Sequence, residues 1–143
     1  MLSCADSRVV PEVAFDTGLG ELFVLRVAGN IANTDTIASI EYAVAHLGNQ
    51  VIVVMGHESC GAVGAALAGG DNGYNLNLLL AQIEPAKAQA GSSDVNTVVK
   101  KNAELSAGDL YDRSEIIKDA VDKGNLKIVT AFYNLGSGAV DFL

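Results

Sequence analysis

The sequence predicts an α/β fold: a mainly parallel central sheet flanked by helices, closing in a C-terminal strand hairpin. Three observations carry this. Short apolar runs alternate along the chain with segments whose apolar residues recur every three or four positions. The run Val51-Ile52-Val53-Val54-Met55 is apolar on both faces, as a sheet covered by helices requires. The last two apolar runs are separated by Asn134-Leu135-Gly136-Ser137-Gly138, whose turn chemistry suits a hairpin.

The elements follow in order. A first strand, Met1-Leu2-Ser3, leads into Cys4 and is short for a central strand. Residues 22–27, Leu-Phe-Val-Leu-Arg-Val, read as a strand ending at Gly29-Asn30. Ile37, Ile40, Val44 and Leu47 place a helix over 35–47, with Gly48 as its stop. The strand at 51–55 ends at Gly56, expected to turn the chain off the sheet, and a helix follows over 59–68. Residues 68–75 read as a surface loop. Leu76, Leu79, Leu80 and Ile83 predict a helix over 75–90 that Pro85 bends or ends. Helices follow over 94–106 and 113–123. The second opens with Asp112 and Glu115 at capping-box spacing and ends at Gly124. Strands at 127–133 and 139–143 form the hairpin.

The totals narrow the function classes. The chain has 143 residues, which suits one domain over 1–143 around one core. Seventeen acidic residues against nine basic ones give a net charge of −8, which speaks against a nucleic-acid partner. No apolar run approaches the about 20 residues of a membrane span, so no membrane partner is expected. Met-Leu-Ser-Cys-Ala-Asp-Ser-Arg lacks the basic-then-apolar pattern of a secretory leader. Two cysteines without a C-x-x-C pair suit a reducing compartment, and a cytoplasmic location is the expectation.

In an open α/β sheet, ligands bind beyond the carboxyl ends of the strands. Cys4 stands at the end of the first strand. His57 and Cys60 stand just past Val51–Met55, with Cys60 near a helix start whose free N–H groups favour a thiolate. If those strands are neighbours, two sulfurs and an imidazole converge, a plausible Zn²⁺ shell with a fourth position left over. Gly61 is expected to let the backbone approach this site closely. Asp6, two residues after Cys4, falls on the same side in an extended strand. Two roles are open to it: fourth ligand, or acceptor for a metal-bound water. Arg8 is placed to hold it in a bidentate fork.

Each signal has a plainer reading alone. A lone cysteine is usually a small buried hydrophobe, and Asp6 with Arg8 is usually a surface ion pair worth about 0–1 kcal/mol. His46 reads as a structural residue in the last turn of a helix, where the dipole suits it. Phe23 and Tyr42 read as core. Gly61-Ala62-Val63-Gly64-Ala65-Ala66-Leu67-Ala68-Gly69-Gly70 lacks the lysine of a phosphate loop. It is the joint fall of both cysteines and His57 at strand ends that favours a metal site.

Five stretches together resemble the β-class carbonic anhydrases: CADSRVVPE, FDTGLGELFVLRVAGN, SIEYAVAHLG, VVMGHESCGAV and the closing LKIVTAFYNLGSGAVDFL. The RVAGN form is similar to a bacterial subgroup. The resemblance implies that Cys4, His57 and Cys60 ligate zinc and that Asp6 and Arg8 form a catalytic dyad. It implies reversible hydration of CO₂ to bicarbonate and a proton, through a zinc-bound hydroxide oriented by that dyad. In the family the equivalent of Asp6 is also found bound to zinc, an inactive arrangement. Phe23, Ala28 and Gly61 match substrate-pocket positions, with Tyr42 lining the cleft from across a dimer interface. A homodimer or larger homo-oligomer is the implied state.

Members of that family usually carry N-terminal helices before the first strand and a glutamine shortly before the first cysteine. Neither is present in this sequence, so exposed apolar surface is expected where those helices would pack. Two other functions fit the same residues. One is hydrolysis of COS or CS₂ on the same fold. The other is a non-catalytic, zinc-stabilised assembly module, which would have a closed site with four protein ligands.

Overall fold

The computed structural model describes residues 1–143. Five strands form one sheet: β1 (Leu2–Ser3), β2 (Leu25–Arg26), β3 (Val51–His57), β4 (Lys127–Tyr133) and β5 (Val140–Phe142). Their spatial order is β2-β1-β3-β4-β5. The first four run parallel, and β5 returns antiparallel to β4 with Tyr133 opposite Val140, as the turn residues between them predict.

The helices are α1 (Pro11–Ala14), α2 (Thr34–Leu47), α3 (Gly61–Ala68), α4 (Tyr74–Ala81), α5 (Glu84–Gln89), α6 (Val95–Asp112) and α7 (Glu115–Asp122). A single 3-10 turn spans Ala28–Asn30. No helix is long and apolar enough to cross a membrane.

Alternation along β3 divides the core. Ile52 and Val54 pack with Ile37 and Ile40 of α2, Ala103 and Leu110 of α6 and Ile117 of α7. Met55 points the other way, into a smaller cluster with Met1, Val9 and Ala131 under Phe15 and Leu22. A third cluster joins Cys4 and Cys60 to Val63 and Ala66 of α3, Leu80, Ile83, Ala86 and Val98 and Val99 of α6. This cluster seats the loops at the strand ends. Val51 and Phe142 remain more than half exposed, an apolar margin on the sheet.

Several boundaries differ from the sequence reading. The strand expected over 22–27 pairs only at Leu25 and Arg26, because its partner β1 is itself two residues long. The helix expected over 59–68 starts at Gly61, since Ser59 has a φ of 54° and Cys60 is the N-cap. The helix expected over 75–90 breaks at Gln82-Ile83, and Pro85 sits in the first turn of α5, where its missing N–H loses nothing. Helix α6 runs on to Asp112, beyond the expected 106, because Leu110 is buried and continues the core-facing stripe. Asp112 therefore lies inside α6, and Ser114 caps α7 by accepting the Ile117 N–H at 3.2 Å. Gly48 ends α2 at a φ of 69°, as expected.

Candidate metal centre

Strand β1 lies directly beside β3, with Leu2 opposite Val54. Cys4 leaves β1 at the same end of the sheet at which His57 closes β3. The turn Glu58-Ser59 then carries the chain into α3, with Cys60 as its N-cap. Cys4 Sγ, Cys60 Sγ and a His57 ring nitrogen lie within 4.8 Å of one another, and all three residues are buried. The convergence that the spacing predicts is present.

The imidazole is oriented for coordination. Its Nδ1 lies 2.9 Å from the Glu58 carbonyl, which can only accept, so Nδ1 carries the proton. In the neutral ring Nε2 is then a bare lone pair. It is fully buried and has no hydrogen-bond partner. A buried nitrogen left unsatisfied between two sulfurs has a soft divalent cation as its natural partner. The donor set fits Zn²⁺.

The two sulfurs draw each other's pKa apart. Hydrogen bonding from Cys60 draws Cys4 down to about 4, helped by the Asp6 and Gly29 amides and opposed by burial. Cys60 is pushed up by its bond to Cys4 and by burial, against the Val63 and Ala62 N–H groups at the start of α3. Burial disfavours charge on His57, but the Cys4 thiolate and the Glu58 carbonyl outweigh it and raise its pKa.

Asp6 and Arg8 form the fork expected of them. Arg8 donates from Nη2 to Asp6 Oδ2 at 2.7 Å and from Nε to Oδ1 at 3.0 Å, and its backbone N–H reaches Oδ1 at 2.9 Å. These bonds hold the Asp6 carboxyl far below the usual carboxylate range. Asp6 Oδ2 lies 3.9 Å from His57 Nε2, beside the triad and paired with Arg8. Arg8 Nη2 also reaches the Ser59 carbonyl at 3.2 Å, tying the β1 loop to the β3 turn.

Three supporting groups escaped the sequence reading. Arg26 donates to the carbonyls of Cys4, Asp6 and Val9 at 2.8, 2.5 and 2.8 Å, so one guanidinium braces the segment that carries Cys4, Asp6 and Arg8. Asn96 accepts the Ser59 N–H at 2.9 Å and holds that residue in its left-handed conformation. Asn102 reaches the Gly29 carbonyl at 2.7 Å. All three act across large sequence separations. The legible trace is Asn102 itself, an amide at a core-facing position of α6.

The glycines serve otherwise than expected. Gly56 is inside β3, and a Cβ there would fall 2.5 Å from Val99 Cγ1; its role is to admit α6, not to turn the chain. At Gly61 a Cβ would meet nothing within 4 Å, so no close approach inside one chain requires glycine. Ala28 opens the 3-10 turn beside Gly29. Phe23 and Tyr42 face each other with ring centroids 6.4 Å apart, and Tyr42 stacks on His46 at 5.1 Å. Neither of the cavities that Phe23 borders, about 480 and 440 Å³, is lined by Cys4, His57 or Cys60. Tyr42 is 53% exposed and open to a neighbour.

Fold and site together describe an α/β protein in which two cysteines and a histidine that could hold a metal ion lie beside an arginine-paired carboxylate. A family model described as carbonic anhydrase matches residues 1–140. Carbonic anhydrase 2 of Mycobacterium tuberculosis is 37% identical over 145 residues, covering 96% of this chain and 70% of that protein. The carbonic anhydrase of Mycolicibacterium smegmatis is 36% identical, covering 99% and 72%. Among solved structures, a tetrameric β-carbonic anhydrase of Sordaria macrospora superposes with a TM-score of 0.91 at 28% identity, covering 99% of this chain and 78% of that one. The Coccomyxa β-carbonic anhydrase in complex with acetazolamide gives 0.89 at 31% identity, covering 99% and 69%. The chain belongs to the carbonic anhydrase family, within its β class, and its enzyme class is that of a carbonate dehydratase.

Proposed function

We propose that this chain catalyses the reversible hydration of CO₂ to bicarbonate and a proton, with Zn²⁺ held by Cys4, His57 and Cys60. The observation that carries the reading is the buried, partnerless His57 Nε2 set among two sulfurs. When bound, the ion would acidify water from a pKa of about 15.7 to about 7 and so supply a nucleophile at neutral pH.

The chain's own residues do the rest. Asp6, kept ionised by Arg8, is an acceptor only, so it orients an O–H donor beside the triad and leaves the donor's lone pair free for carbon. Arg8 holds Asp6 off the ligands. The buried shell around the triad keeps it dry, while Arg8, half exposed, marks the solvent side. Phe23, Ala28 and Gly61 are assigned to the apolar niche that a small unpolarised substrate needs. Tyr42 is assigned to the same niche in a second copy, across a homodimer interface; its exposure supports this. A closed structural zinc site would enlist Asp6 as a fourth ligand, and its fork with Arg8 favours the open, catalytic arrangement.

Stopped-flow CO₂ hydration on protein of measured zinc content tests the proposal. Activity proportional to zinc, lost in Cys60→Ala, supports it. Stoichiometric zinc with no CO₂ hydration overturns it in favour of an assembly module, and faster turnover of COS or CS₂ would reassign the substrate.

A further inference from the structure

Gly29 is held on several sides. Its φ is 71°, and a Cβ there would fall 2.8 Å from Ile83 Cδ1 and 3.4 Å from the Ala62 Cβ, so only glycine fits without displacement. Its N–H donates to Cys4 Sγ at 3.4 Å. Its carbonyl accepts from Asn102 Nδ2 at 2.7 Å. Asn102 is 2% exposed, in the middle of α6, among positions otherwise filled by Val98, Val99 and Ala103.

We propose that Asn102 is a positioning residue for the metal centre: by gripping the Gly29 carbonyl from α6, it aims the Gly29 N–H at the Cys4 sulfur. The inference rests on the triad being a zinc site. A thiolate ligand carries charge that a neighbouring N–H donor stabilises and orients, and such outer partners typically account for about 10–100-fold in metal affinity. A hydrophobic residue at 102 would fill the core equally well but leave the Gly29 carbonyl unpartnered, with only the Asn30 N–H to Val27 holding that peptide unit beside the one whose N–H meets Cys4. The relay places a buried amide where α6 packing alone has no use for one, which gives it a purpose beyond satisfying a carbonyl.

The test is zinc affinity, by competition with a chromophoric chelator, on the full chain. Asn102→Asp, which cannot donate when ionised, and Asn102→Ala should bind zinc about 10–100-fold more weakly. Both should shift the thiolate-to-metal charge-transfer band of the cobalt-loaded protein. Ser106→Ala, one turn further along α6 and also buried, should change affinity less than about two-fold for a comparable loss of stability. In cadmium-loaded wild type, the Gly29 amide proton should show scalar coupling to the metal through the Cys4 sulfur, a readout that needs no variant to fold. Asn102 variants with unchanged affinity and an unmoved band, or an uncoupled Gly29 proton, overturn this inference alone. A wild-type chain that takes up no zinc overturns the metal-centre reading and this inference with it.

Discussion

Gly56→Ala should be among the most damaging single-methyl additions to this fold. The new Cβ would lie 2.5 Å from Val99 Cγ1 and 3.3 Å from the Val99 carbonyl oxygen. Carbon contacts are optimal near about 3.5–4.0 Å, so the overlap is about 1 Å. Val99 has no exposed surface, and the backbone contact means that a rotamer change alone cannot clear the way. Helix α6 must move from β3, and overpacking of this kind costs about 1–3 kcal/mol; the upper end is expected here. At a urea slope of about 2 kcal/mol/M the unfolding midpoint falls by about 1.5 M. Val99→Ala alone, losing two buried methyls, should cost about 2 kcal/mol. In the double variant the side-chain clash is gone and the cavity partly filled, so the total should stay near about 3 kcal/mol rather than the sum of about 5. That is a coupling of about 2 kcal/mol between contacting residues. Denaturation of all four proteins in urea measures it. Additivity within about 0.5 kcal/mol would refute the steric account of Gly56.

Arg8→Ala removes the fork that holds Asp6; Asp6 should then turn onto the metal, and X-ray absorption of the zinc-loaded variant should report an altered light-atom shell with CO₂ hydration strongly reduced. An unchanged shell contradicts the clamp. Ser114→Ala loses the cap on the Ile117 N–H and the bond to Glu41 at 2.6 Å, and urea unfolding should show a loss of about 1–2 kcal/mol. Asp94 caps α6 through the Thr97 N–H and hydroxyl, each at 2.8 Å, and these bonds lower its pKa. A carboxyl whose folded pKa is depressed stabilises the fold above its unfolded pKa of about 3.9 and loses that contribution as pH falls through the folded value. Asp94→Asn, which caps without titrating, should therefore flatten the acid limb of a stability–pH profile below about pH 4; an unchanged limb would show that the cap does not titrate.

Local patterns made much of this molecule legible. The parallel sheet, the closing hairpin and the meeting of Cys4, His57 and Cys60 follow from apolar runs and from where reactive side chains fall relative to strand ends. What stayed hidden depends on distance through the fold. Gly56 reads as a turn until α6 is seen pressing on it. Arg26 reads as one more strand residue until the loop after β1 sets three carbonyls against its guanidinium. Pro85 announces a break in helical periodicity, but the break falls in front of it, at Gln82-Ile83, so that Pro85 enters the first turn of α5. The capping pattern from Asp112 to Glu115 was overridden because burial of Leu110 carries α6 through Asp112, leaving Ser114 to start α7. Phe23 and Tyr42 are placed together, but the contact proposed for Tyr42 is with a second copy and would lie beyond what one chain's periodicity encodes.

The central claim is that two cysteines and one histidine from separate segments share one ion and leave it an open position. Zinc-edge X-ray absorption on the loaded wild-type chain tests it most directly. The expected shell has two sulfurs at about 2.3 Å, one imidazole nitrogen at about 2.0–2.1 Å and one further oxygen, all lost together when Cys60→Ala abolishes binding. A shell without sulfur, or one retained unchanged in that variant, would contradict the account.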